Sequence, residues 1–394
     1  MFVSNIYIFK FACVFLIVGR FAVVQSNVKD KCTMGTKEMI EYNGYYAEEH
    51  SVITEDGYNL TIFRCNSKSV SPDTKKVVLL HHGLLSSSDD YSTNDPSQAL
   101  AYIMADAGYD VFLSNHRGNF YSRRHITLDP DILNMSERFW NFSWYEVAIY
   151  DYPAIFDYVL EETKQPKVYV VGHSQGTTCM MTLLSEKPEY NDYFYAVSLM
   201  APVGYLKHTG RPLQILEKFH NQLLVFENTE LLPRSPIGKF GGKICSSKLL
   251  GTFCESLLEL VLGQSEGQQD STTLRNNICH GPSGASFNQI LHYGSEISYD
   301  YFGKYMRDSK VPSDFDLSKI RVPISLHYSP NDKLSNSADV EKLIPKLNNS
   351  LALTQVVNQT EFNHIDFIWG KDAAKLVYSV ILSFFEEQSG ETTI

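Results

Sequence analysis

Lys167 to Ser185, KVYVVGHSQGTTCMMTLLS, places a short apolar run, a Gly-x-Ser-x-Gly pentapeptide and a helix-forming stretch in direct succession. Lys167 to Val171 reads as a buried strand and Thr177 to about Ser185 as a helix. Gly172-His173-Ser174-Gln175-Gly176 therefore falls on the turn between them. A strand-to-helix turn this sharp brings its glycine positions against neighbouring backbone, where a side chain would collide. Ser174 is then held at the C-terminal edge of a sheet. The pentapeptide alone is commonplace; the flanking strand and helix turn it into a nucleophile elbow.

Working outward, the chain keeps the same alternation. Val77 to Leu80 is a continuous apolar strand leading into His81-His82-Gly83-Leu84-Leu85. Asp95-Pro96 offers a cap and a first-turn proline for a helix over Ser97 to Ala107, stopped at Gly108, and a strand Asp110 to Ser114 follows. Ser143 and Glu146 form a capping box before an amphipathic stretch reaching Thr163, with Pro153 expected to kink it. Pro323 to Tyr328 and Leu351 to Val357 read as further strands, and Asp372 to Glu386 as the last helix. Apolar runs alternating with helices specify an α/β fold with a mostly parallel central sheet and helices on both faces. Ser51 to Arg64, alternating around Asp56-Gly57, adds an antiparallel hairpin at one edge.

Between Pro202 and Val322 the alternation lapses, which marks an insertion. The expected organisation is a signal peptide (1–26), a first core part (27–202), a mainly helical cap (203–321) and a second core part (322–394). Within the cap, Leu249, Leu250, Phe253, Leu257, Leu258, Val261 and Leu262 recur at helical spacing and make one apolar face.

Composition narrows the function classes. With 43% hydrophobic and 13% aromatic residues among 394, the chain can bury a large core. Its formal charge of −11 opposes binding to nucleic acid. Phe11 to Val24 is an apolar run too short for a comfortable membrane span and ends in Val24-Gln25-Ser26, as a cleavable signal does. Secretion is the expectation, with no membrane anchor after cleavage. Asn59, Asn134, Asn141, Asn348 and Asn358 head glycosylation sequons. Cys32, Cys65, Cys179, Cys245, Cys254 and Cys279 follow the signal, and none shows metal-ligand spacing. No metal or cofactor is expected.

A serine hydroxyl needs a base, and behind an elbow the chain order is serine, acid, histidine. Of His208, His220, His280, His292, His327 and His364, only His364 lies between the last strand and the last helix. Asp332, just past the strand Pro323 to Tyr328, is the expected acid. Asp339 falls in a helix and Asp366 follows the histidine, which makes them the weaker rivals. Backbone N–H groups of Gln175 and Leu84 are the expected oxyanion donors. His82 reads as a structural histidine of that loop.

With these residues placed, the chain resembles the animal acid lipase family, which includes gastric and lysosomal acid lipases. The resemblance runs from Thr36 to the C-terminus. It is carried by Thr54 to Tyr58, His82 to Leu85, Ala105 to Val111, Arg117 to Asn119, Tyr150 to Ala154, Gly172 to Thr178 and Asn363 to Trp369. It implies an α/β-hydrolase fold with a lidded cap, and hydrolysis of neutral lipid esters, triacylglycerols or sterol esters, at a lipid–water interface. It carries over Ser174, Asp332 and His364 as triad, with Leu84 and Gln175 as oxyanion hole. It makes the Leu249 to Leu262 stripe a candidate wall for acyl chains. It also implies a Cys245–Cys254 disulfide. An unbroken helix would hold those two Cα atoms roughly 13 Å apart, beyond bridging range, so the helix must break, with Gly251 the candidate. Cys32, Cys65, Cys179, Cys279, His81 and His116 depart from the family pattern. A soluble carboxylesterase for small esters and a non-catalytic lipid carrier are the alternatives, and a lysosomal destination is compatible with the same reading.

Overall fold

The computed structural model describes residues 30–69, 76–234, 256, 258–265, 267–269, 271–305, 313–359 and 361–389. The expected signal peptide and the Cys245–Cys254 pair lie outside the described residues. Ten strands are named here in chain order among the described residues: β1 (Tyr46–Ile53), β2 (Asn59–Asn66), β3 (Lys76–His81), β4 (Tyr109–Leu113), β5 (Val168–His173), β6 (Phe194–Met200), β7 (Glu230–Leu231), β8 (Ala285–Ser286), β9 (Ile324–Tyr328) and β10 (Leu351–Val356). Eight of them form one sheet in the order β1-β2-β4-β3-β5-β6-β9-β10. From β4 to β10 every pairing is parallel, while β1, β2 and β4 pair antiparallel. β7 and β8 make a separate two-stranded ribbon.

The parallel strands sit inside because their side chains are apolar on both faces. Val77, Leu79, Val168 and Val170 enter the core on one side, and Val78, Leu80, Tyr169 and Val171 the core on the other. Alternate residues point to opposite faces of a strand, so each layer is filled by every second position. Burying each such side chain contributes about 1.5–3 kcal/mol. The hairpin turns where expected: Ile53 pairs with Asn59, and Gly57 takes φ +96°.

Local departures from expectation have local causes. The helix after Asp95-Pro96 starts only at Leu100, because Asp95 spends its carbonyl on a preceding turn closed by Gln98 and Ala99 N–H. The Ser143–Glu146 capping box forms. At Pro153 the irregularity lies just ahead of the proline: the chain opens into a π-turn at Val147–Asp151, and the helix Tyr152–Thr163 carries the proline in its first turn. A second π-turn, Ala374–Tyr378, occupies the start of the expected last helix, which runs regularly over Ser379–Gln388. β6, given no boundaries from sequence, lies buried between β5 and β9.

The stretch between β6 and β9 includes helices Arg211–Lys218, Ser271–Ile278 and Phe287–Tyr299. Cys279 of this stretch forms a disulfide with Cys32, closing a sequence separation of 247 residues. Cys65 and Cys179 lie buried as thiols. No helix among the described residues is long and apolar enough to cross a membrane.

Arg117, fully buried, joins three distant segments. Its Nε donates to Asp151 at 2.6 Å, its two terminal nitrogens donate to Asp56 at 2.6 and 2.8 Å, and its guanidinium lies 4.0 Å from the centre of the Tyr58 ring. Asp151 has no solvent exposure, so removing its partner strands a carboxylate in the interior. Arg117→Met should therefore cost about 3–5 kcal/mol, read as a lowered midpoint in urea denaturation; a midpoint within about 0.5 kcal/mol of wild type would contradict this reading.

Candidate active site

β5 ends at His173 and the helix Gln175–Glu186 begins one residue after Ser174, which leaves Ser174 alone on the turn at φ +53°, ψ −119°. That conformation is costly for a residue with a side chain and persists only where its surroundings enforce it. The enforcement is visible at Gly176: a Cβ there would stand 2.4 Å from the carbonyl oxygen of His81 on β3. At Gly172 a Cβ would come within 3.0 Å of the Gly176 backbone. The two glycines let strand and helix close upon each other, and the serine between them is pushed outward.

The structure brings Ser174, His364 and Asp332 into one hydrogen-bonded chain. Ser174 Oγ donates to His364 Nε2 at 2.8 Å, and His364 Nδ1–H donates to Asp332 Oδ2 at 2.7 Å. This polarity follows from Asp332 being acceptor only when ionised. Its other oxygen accepts the N–H groups of Leu334 and Ser335, each at 2.8 Å, so the carboxylate is held at both ends. The rival acids are committed elsewhere. Asp339 accepts from the backbone and ring of His208, both at 2.8 Å, while Asp366 accepts from Asn363 N–H, Ser265 Oγ and Gln269 Nε2. The other histidines also point away: His292 bonds to Ser143 and Gly303, and His327 to Ser198, Ser325 and Gln355.

The loop after β3 comes up against the elbow. A Cβ on Gly83 would lie 3.1 Å from Ser174 Cβ, a tight contact, so the glycine brings the backbone before Leu84 up to the serine without crowding it. His82 fixes that loop: its Nδ1–H donates to the Gly83 carbonyl at 2.7 Å, and its Nε2 accepts from His116 N–H at 3.1 Å and Asn119 Nδ2 at 3.2 Å. This is the structural role read for it from sequence. Gln175 is the first residue of the elbow helix, where backbone N–H groups have no partner within the helix.

Sequence reasoning passed over His173, inside the pentapeptide itself. Its Nε2–H donates to the His364 carbonyl oxygen at 2.9 Å and ties the elbow to the histidine loop. Burial pushes its pKa down to about 3, so it stays neutral and keeps that donor fixed. The segment Leu262 to Gln264 was also missed as a support. Leu262 O accepts from Lys333 N–H and His364 N–H, Gly263 O from Asn363 Nδ2 at 2.8 Å, and Gln264 O from Asn331 Nδ2 at 2.5 Å.

A cavity of about 280 Å³ opens over Ser174 and His364. Its walls are mostly aliphatic, among them Leu84, Val203, Leu206, Leu213, Ile290 and Ile297. Val261 and Leu262, from the apolar stripe read in sequence, line it as well, whereas Leu249, Leu250, Phe253 and Leu257 lie outside the described residues. No group of three or more His, Cys, Asp or Glu positioned to hold a metal ion occurs among the described residues. The arrangement can activate a hydroxyl beside an apolar chamber. Asn134, Asn141, Asn348 and Asn358 are exposed, and Asn59 is half-buried at the start of β2.

Residues 36–95 match the family model described as the partial alpha/beta-hydrolase lipase region, and residues 76–222 match that of the alpha/beta hydrolase fold. Gastric triacylglycerol lipase of Mus musculus is 34% identical over 375 residues, covering 91% of this chain and 93% of its own. Lipase 3 of Drosophila melanogaster is 37% identical over 363 residues, covering 88% of this chain and 91% of its own. In fold, the chain resembles the crystal structure of a membrane phospholipase A, a bacterial virulence factor, with a TM-score of 0.55 at 15% identity, over 97% of this chain and 99% of the other.

Beneath the elbow, His81 stacks on Tyr152 with ring centroids 4.0 Å apart, and His82 stacks on His116 at 3.9 Å. Burial drives the pKa of His81 down to about 3 and that of His82 to about 4, and holds His116 well below the usual range. Each is neutral when folded and takes up a proton on unfolding once the pH is below about 6.5. The resulting penalty is absent above that pH and grows as pH falls towards the folded value, by about 1.4 kcal/mol per unit for each residue. His81→Phe removes one such proton. Relative to wild type, its melting temperature should therefore be more favourable at pH 4.5 than at pH 7.5. A difference that does not change with pH would refute the assignment.

Proposed function

This chain belongs to the α/β-hydrolase lipase family that includes gastric triacylglycerol lipase, it is a carboxylic ester hydrolase, and we propose that it cleaves neutral lipid esters, triacylglycerols or sterol esters, through an acyl-enzyme on Ser174. The observation that carries the reading is the Ser174–His364–Asp332 chain opening into an aliphatic cavity. Ser174 Oγ attacks the ester carbonyl as His364 Nε2 takes its proton. His364 then protonates the departing alcohol, and Asp332 steadies the imidazolium. The N–H groups of Leu84 and Gln175 receive the oxyanion. Water, deprotonated by His364, releases the fatty acid and restores the serine.

The cavity supports an acyl chain more readily than a small polar ester, because burying apolar substrate surface contributes about 25 cal/mol per Å². The reading extends to secretion through a signal peptide at 1–26, to work at a lipid–water interface outside the cell or in a lysosome, and to glycans on the five sequon asparagines.

Ser174→Ala should abolish both fluorophosphonate labelling and ester hydrolysis; a pure variant with undiminished esterase activity would rule the mechanism out. Asp332→Asn should keep the fold and lower kcat by about 10³- to 10⁴-fold, as loss of the correct imidazole tautomer does. Emulsified long-chain esters should be turned over faster than dissolved short ones. The reverse preference would assign the chain to small-ester carboxylesterases.

A further inference from the structure

The cavity above Ser174 has a polar end that the ester chemistry does not use. Ser86 and Asp90 both line it, in a chamber whose other walls are chiefly aliphatic. Asp90 Oδ2 accepts the hydroxyl of Ser86, and Asp90 Oδ1 accepts Trp369 Nε1–H at 3.3 Å. Protein atoms crowd the carboxyl, yet Asp90 keeps a partly open face, and that face is turned to the cavity. A purely structural carboxylate would be expected to spend its remaining lone pairs on the protein. Here each oxygen has taken one donor from about four acceptor sites in all, and Ser86 has given its hydrogen to the pair. What faces the chamber is therefore acceptor capacity without a matching donor.

We propose that Ser86 and Asp90 form a hydroxyl-binding subsite, specific for an ester substrate that carries a free alcohol near the scissile bond, a mono- or diacylglycerol. The inference rests on the lipase reading and extends it to partial glycerides, the products of a first cleavage of a triacylglycerol. Above about pH 6, where Asp90 is ionised, the pole only accepts hydrogen bonds, so it draws in an alcohol O–H and repels the carboxylate of a released fatty acid. A neutral alcohol suits the site better than an ammonium. Burial holds the Asp90 carboxyl up at about 6, Asp89 alongside adds like charge, and His280 offsets it in part. A buried cation would need a fully ionised partner to offset its own desolvation.

The test compares three esters of one fatty acid in mixed micelles with the full-length enzyme: the monoacylglycerol, the ethyl ester and the 2-aminoethyl ester. Wild type should show a higher kcat/KM for the monoacylglycerol than for the ethyl ester. Asp90→Leu should reduce that ratio by about 10- to 100-fold, the range of a hydrogen bond to a charged group, chiefly through KM. Asp90→Asn, which keeps an acceptor for Trp369, should fall between and covers the case in which the leucine variant does not fold; fluorophosphonate labelling of each variant reports an intact elbow. An unchanged ratio overturns the subsite and leaves the lipase reading standing. A larger loss on the aminoethyl ester than on the monoacylglycerol also overturns it, in favour of a cation site. A wild-type enzyme inactive on all three esters overturns the subsite, and inactivity on the corresponding triacylglycerol and sterol ester as well removes the lipase reading with it.

Discussion

Everything at the site depends on how closely the elbow helix approaches β3. The Gly176 position sits so near the His81 carbonyl that a Cβ would be 2.4 Å from it; the glycine satisfies that constraint, and Ser174 beside it takes a positive φ. The strain this imposes is offset by the cores on the two faces of the sheet, whose strands cannot separate to relieve it. A relaxed turn would withdraw the hydroxyl from His364. Backbone contact, rather than any attraction specific to the serine, is what presents the Ser174 hydroxyl.

Around that turn, neutral histidines act as spacers and donors. His82 and His173 each spend one ring nitrogen on a backbone carbonyl of a loop that must hold still, Gly83 in one case and His364 in the other. Protonation would change which ring nitrogens can accept and would place charge in a fully buried setting. Burial prevents this by driving their pKa values down to about 4 and about 3. The same burial makes them a liability towards acid, since the unfolded chain protonates them freely. Stability and pre-organisation thus pull in opposite directions at one set of residues.

The segment Leu262 to Gln264, between β6 and β9, braces the loops at the site. Its three carbonyls accept hydrogen bonds from the Asp332 loop (Asn331, Lys333) and the His364 loop (Asn363, His364). Gly263 takes φ +108° with a Cβ position 2.0 Å from Asn331 O, so a side chain would part the two loops. Movement of this segment would be transmitted to the Asp332 and His364 loops as well as to the cavity wall that Leu262 forms.

By itself, the sequence determined the layered α/β plan, because continuous apolar runs between helical stretches can only be buried as parallel strands covered on both faces. It also singled out the serine, histidine and aspartate that the structure joins by hydrogen bonds. Ser174 lies between two glycines, and His364 and Asp332 follow the ends of two later strands, all of which are local or ordered along the chain. Tertiary structure decided what depends on distant segments meeting. Cys32 bonds to Cys279 across 247 residues, Asp339 and Asp366 turn to other partners, and Asp90 opens into the cavity rather than onto the surface. Periodicity and spacing report on neighbours along the chain; a carboxylate's partners and a cavity's walls are set by residues that sequence distance keeps apart.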